Sequence, residues 1–153
     1  MTPAQQSALE SVAGRAVTPD KLVAIDALLP ARDDMQIAAI LSAGRMRTMP
    51  TMIGIGTILA VMAPAGGDFL NALETMGASD ANVKWALRLI EQSNFDVGHP
   101  VTRAQLQEFA DAQPALAPAI TALLAVAEQP DPINFNTISD ALNIAEGRMT
   151  LGD

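Results

Sequence analysis

Residues Thr48 to Gly67 form the longest uncharged stretch of this chain, twenty positions without an Asp, Glu, Lys or Arg. A stretch of that kind is either a membrane span or part of the core of a helical domain, and the choice fixes the class of the protein. Pro50 opens it, Pro64 closes it, and Gly66 and Gly67 follow, so the uninterrupted helical part is Thr51 to Ala63. At ~1.5 Å per residue this covers about 20 Å, short of the roughly 30 Å hydrocarbon core of a bilayer. Gly54 and Gly56 lower helix propensity further. The residues predict a central helix that is apolar all round and buried on all sides.

The chain has 153 residues, the size of one domain that buries roughly two-thirds of its unfolded surface. Its apolar half is mostly Ala, Leu, Ile, Val and Met, with four Phe, one Trp and no Tyr. Small side chains favour close helix crossings, and no segment alternates as a half-buried strand does. The fold class predicted is all-α. The expected architecture is a compact single-domain bundle of about seven to eight short helices, arranged as αα-hairpins around the buried central helix. Residues 1–145 form the expected core and 146–153 a flexible tail.

Helix starts are legible in the caps. Thr2, Pro3 and Gln5 make a capping box with proline at the first helical position. Thr18, Pro19 and Asp20 repeat the cap and add an acid where the helix dipole favours it. Asp33, Asp80, Thr102 with Gln105, and Asn134 mark further starts, and Gly44, Asn94 and Pro130 mark stops. Thr18 is followed by Leu22 and Ile25, Thr102 by Leu106 and Phe109, and Asn134 by Ile138 and Ala141, each pair on one helix face. The first two of these segments read as αα-hairpins. Trp85, in a helix with Val83, Ala86, Leu87, Leu89 and Ile90 on its broad apolar face, is expected to pack partly between helices.

Seventeen acids against nine bases give a net charge of −8. That balance argues against nucleic acid, whose binding rests on Lys and Arg at phosphates, and against an anionic membrane surface. No cysteine is present, so disulfides, thiolate nucleophiles and zinc knuckles are excluded. The first residues lack the basic start and apolar middle of a secretion signal, which predicts a cytoplasmic origin.

Reactive constellations are not written in the chain, and catalytic, cofactor-binding and metal sites are all expected to be absent. His99 is the only histidine and sits in a turn before Pro100, with no second His or Cys for a transition-metal site. Asp33 and Asp34 read as a cap and a first-turn acid rather than a catalytic pair. Asp20 and Asp26 supply no converging oxygens, and Asp131 between prolines is a turn former without the rest of a calcium loop. Gly54 and Gly56 lack the third glycine and the preceding strand of a dinucleotide fingerprint. Ser7, Ser11, Ser42, Ser79, Ser93 and Ser139 share a single possible histidine partner, which argues against a hydrolase triad.

The functional candidate is a methionine series. Met46, Met49 and Met52 recur every three residues, flanked by Arg45 and Arg47. Methionine is over-used at adaptable binding surfaces and arginine at interface hot spots. Two readings stand side by side: core methionines at the mouth of a buried helix, or a half-exposed connector that docks a partner chain.

The segments Ala38–Arg45, Asn82–Glu91 and Ile138–Asn143 resemble a family of small helical proteins encoded among the tail and late structural genes of tailed bacteriophages and prophages. The resemblance covers roughly residues 2 to 145 and its motifs are Ala- and Leu-rich helix text. It implies a structural or assembly role in a phage, with other tail or tail-fibre proteins as partners and a homo-oligomer as a further option. It implies residence in the host cytoplasm during assembly and a place in the tail of the virion, and it carries over no catalytic residue. Within the resemblance the alternative is a tail-fibre assembly chaperone; beyond it the alternatives are an acidic inhibitor or adaptor that binds a host protein and a membrane-active lysis protein.

Overall fold

A computed structural model of the chain describes residues 1–148. The chain is all-α in character. Its first helices are α1 (Pro3–Ala13), α2 (Pro19–Leu28) and α3 (Asp34–Ser42), with a single 3-10 turn at Leu29–Ala31. Two short strands, β1 (Met46–Thr48) and β2 (Met52–Ile53), precede α4 (Ile55–Val61), α5 (Gly66–Gly77) and α6 (Ala81–Glu91). Then come β3 (Phe95–Asp96), α7 (Pro100–Ala112), α8 (Ala117–Ala125), β4 (Glu128–Pro130) and α9 (Phe135–Ala145). β1 pairs with β4, and β2 pairs antiparallel with β3, Met52 opposite Asp96 and Ile53 opposite Phe95. These strands of two or three residues are too short to show alternation, and the sequence gives no sign of them.

The residues fall into two compact units, 47–129 and the remainder, the chain leaving the first unit within β1 and returning within β4. In the first unit α1 and α3 pack on α9, and α2 packs on α3. Leu9, Ile25, Ile37, Leu41, Ile138 and Leu142 form its buried centre. The predicted capping box is present: Gln5 N–H donates to Thr2 Oγ1 at 3.2 Å and Thr2 N–H donates to Gln5 Oε1 at 2.8 Å. Asp33 Oδ1 and Asn134 Oδ1 cap α3 and α9 by accepting from Gln36 and Asn136 N–H. Thr18 makes no side-chain cap bond, and the start of α2 keeps Pro19 and the first-turn acid Asp20.

At the start of the predicted tail Glu146 makes side-chain hydrogen bonds. Glu146 Oε1 accepts from Gln5 at 2.9 Å and Oε2 from Arg32 at 3.0 Å, while Arg32 also donates to Asn143 Oδ1 at 3.0 Å. Glu146 thus bonds to α1 and to the Arg32 turn before α3; residues 149–153 of the predicted tail lie outside the described residues.

In the second unit α5 packs on α6, α7 on α8, and α4 touches both α5 and α8. Ile58, Met62, Phe69, Ile90, Phe109 and Ile120 lie at its centre, with the Phe69 and Phe109 rings edge to face at 5.6 Å. Here the central-helix expectation is corrected. Of the expected helix Thr51–Ala63 only Ile55–Val61 is helical, and it is buried on one side: Ile53, Ile58 and Met62 face inward, while Met52 (59 %), Ile55 (40 %) and Leu59 (48 %) are exposed. Gly54 stands at the N-cap of this helix, and the turn closed by Ala65 N–H to Met62 O follows it, which limits it to two turns. No buried residue of the first unit comes from this run. Among the described residues no helix is long and apolar enough to cross a membrane.

Candidate functional site

The five residues of the methionine–arginine series have different environments. Arg45, in the first unit, is not an outward arm. Its Nε donates to the Asp131 carbonyl at 3.2 Å, and its two terminal nitrogens reach Ala13 O and the Asp131 carboxylate. It ties the end of α1 to the turn before α9, and the Asp131 turn former is its counter-ion. Met46 and Arg47 are exposed.

Met49 is half-buried and its main chain is pinned: its N–H donates to Ala127 O at 2.8 Å, and its carbonyl accepts from Thr51 Oγ1 at 3.0 Å. Met52 is exposed, as part of the outward face that continues through Ile55 and Leu59. The series therefore supplies Met52 and Arg47 to the surface of the second unit and assigns Arg45 to structure.

The segment that enters the run is held by Asp96. Its Oδ1 accepts from Thr51 N–H at 2.8 Å and from Gly98 N–H at 2.9 Å, while Val97 N–H donates to Thr51 O at 3.0 Å. The Thr51 N–H does most to hold the carboxyl below its ordinary value of 3.8. Partial burial opposes it, and Gly98 N–H and the His99 ring add to the lowering. A carboxyl whose folded pKa lies below its unfolded one stabilises the fold above the unfolded value and loses that contribution as pH falls through the folded one. The parent is therefore expected to lose melting temperature below about pH 4 more steeply than Asp96→Asn, whose side chain does not titrate. Parallel curves across thermal melts from pH 5 to pH 2.5 would contradict the role given to Asp96.

His99 is the N-cap of α7, its Nδ1 accepting from Val101 N–H at 3.3 Å, so that helix starts at Pro100 and not at the predicted Thr102. Asp34 pairs with Arg32. Among the described residues no group of three or more His, Asp or Glu could hold a metal ion. Gly54 lets the Ser93 turn come close, since a Cβ there would lie 2.3 Å from Ser93 Oγ, whereas Gly56 has no neighbour within 4 Å.

Sequence reasoning missed a groove in the second unit. It has a volume of about 380 Å³ and runs between α5, α6 and α7. Leu73, Val83, Ala86, Phe95, Leu106 and Phe109 give it an apolar floor, and Asp80 and Glu108 are the charged residues of its border. Asp80 Oδ1 also caps α6, accepting from Asn82 N–H at 2.8 Å. Volume and lining lie within the usual range for pockets that take an apolar group.

Trp85 corrects a second expectation. Trp85 is 61 % exposed, with the Arg88 guanidinium 5.2 Å from the ring centroid, and Leu89 is 44 % exposed. The side of α6 that packs inward is Val83, Ala86, Leu87 and Ile90. The legible signal was surplus: α6 has more apolar positions than one face accommodates, and Trp85 and Leu89 stand among Lys84 and Arg88.

No family model, no curated protein and no solved structure matches this chain.

Proposed function

We propose that the protein is a non-enzymatic structural or assembly component of a tailed bacteriophage, associated with the tail and working by protein–protein contact. The observation that carries the contact role is the outward half of the uncharged run. Met52, Ile55 and Leu59 present apolar side chains in a stretch that offers no charge to solvate them. Exposed apolar side chains recurring along one segment favour a surface that another chain covers, and methionine suits a partner of irregular shape. The phage setting rests on the resemblance of Ala38–Arg45, Asn82–Glu91 and Ile138–Asn143 to the tail-module family.

Quantitative mass spectrometry of purified particles of the encoding phage tests this reading. A tail component is expected at a fixed copy number relative to the major tail protein. Absence from the particle, together with co-purification with a fibre protein from infected cells, would leave the assembly-chaperone role. Absence from both would end the proposal.

A further inference from the structure

The acidic groove of the second unit adjoins a face of opposite character on the same helix. Positions 82, 85, 86 and 89 of α6 lie on one side, being spaced by three and four. Asn82 and Ala86 line the groove, while Trp85 and Leu89 stand next to them in solvent with Arg88 over the indole. One wall of the groove thus carries, just outside it, the apolar and basic groups that the groove would accept.

We propose that the second unit pairs with a second copy of this chain, Trp85 and Leu89 of each copy seating in the groove of the other. Arg88 of each copy then faces the Asp80 and Glu108 border of its partner. A second copy is favoured over a foreign chain because knob and hole lie side by side on one helix. A two-fold axis then satisfies both at once, the self-complementary arrangement of common homodimers. Charge complementarity is local: the border residues of the groove include two carboxylates and no Lys, Arg or His, and the knob brings Arg88. The net charge of −8 opposes pairing at long range, but salt screens exposed charges beyond about 8 Å at physiological ionic strength. Trp and Arg are also the residue types that most often anchor interfaces when seated in a pocket. This pairing rests on α6 and the groove, not on the outward face of the run, and it stands or falls separately from the phage reading.

Trp85 is the only tryptophan, so emission of the full chain reads the contact directly. From about 1 μM to about 1 mM, a range that covers weak and transient contacts, emission is expected to move from that of a solvated indole toward the blue. Acrylamide quenching should fall, and sedimentation velocity should pass from monomer to dimer. Trp85→Ala should remain monomeric throughout with an unchanged melting temperature. Arg88→Glu and Glu108→Arg should each weaken pairing at least tenfold, and the two together in one chain should restore most of it. A monomer over the whole range would overturn the proposal. So would a dimer that survives Trp85→Ala, or single-charge losses that the double variant fails to recover.

Discussion

Ile58→Asp is expected to leave residues 47–129 unfolded at room temperature. Ile58 is fully buried at the centre of α4, among the Phe69, Ile90 and Ile120 cluster. Substitution removes a large apolar side chain, which costs about 2–5 kcal/mol when the site cannot collapse. It also places a carboxyl where the described neighbours are apolar, adding several kcal/mol whether the group stays charged or takes up a proton. A domain of this size has about 5–15 kcal/mol in total, so the two losses together consume most of it. Far-ultraviolet circular dichroism should show a large loss of helix. Trp85 emission should hardly move, because the indole already faces solvent. A cooperative melt within a few degrees of the parent would show that Ile58 is not part of a core.

Gly98→Ala is the second large effect, and it acts on backbone rather than on side-chain packing. A Cβ at position 98 would lie 2.0 Å from Met49 O, 2.7 Å from Met49 C and 3.1 Å from Pro50 Cα. None of these is the end of a side chain that can swing away. To admit the methyl group, the 49–51 segment must part from the 96–98 loop, which breaks the Thr51 N–H to Asp96 and Val97 N–H to Thr51 bonds. Overpacking of a rigid site costs typically 1–3 kcal/mol and more when backbone is displaced, and about 3 kcal/mol or more is expected here. Gly56→Ala is the matching control. It sits within α4 with nothing inside 4 Å of the new Cβ, so it should gain about 0.5–1 kcal/mol from helix propensity. Urea titrations that place both variants on the same side of the parent would contradict the Gly98 packing.

The helices were legible because their signals are local. Thr2 with Gln5, Asp33, Asp80 and Asn134 each accept or exchange hydrogen bonds within three residues, and such caps are written next to one another in the chain. The pairing of α2 with α3 and of α7 with α8 was legible for the same reason, since short connections bring neighbours together. What the chain did not disclose depends on distant partners. Ile53 pairs with Phe95, and Asp96 reaches Thr51, so strand character at 52–53 comes from a segment more than forty positions away. Hydropathy counts an apolar residue but not the side it faces, which is why Ile58 and Leu59 read alike although one is fully buried and the other half exposed. Arg45 looked like a surface arm because its acceptors, Ala13 O and Asp131, lie 32 and 86 positions away.

The functional reading depends on one claim, that the uncharged run is core on one side and surface on the other. The melting temperature of Leu59→Asp tests it most directly. An exposed carboxylate on the outward side of α4 stays hydrated, so the variant is expected to melt within a few degrees of the parent. A collapse as deep as that expected for Ile58→Asp would mean that α4 is enclosed all round, and that no apolar face is left for a partner to cover.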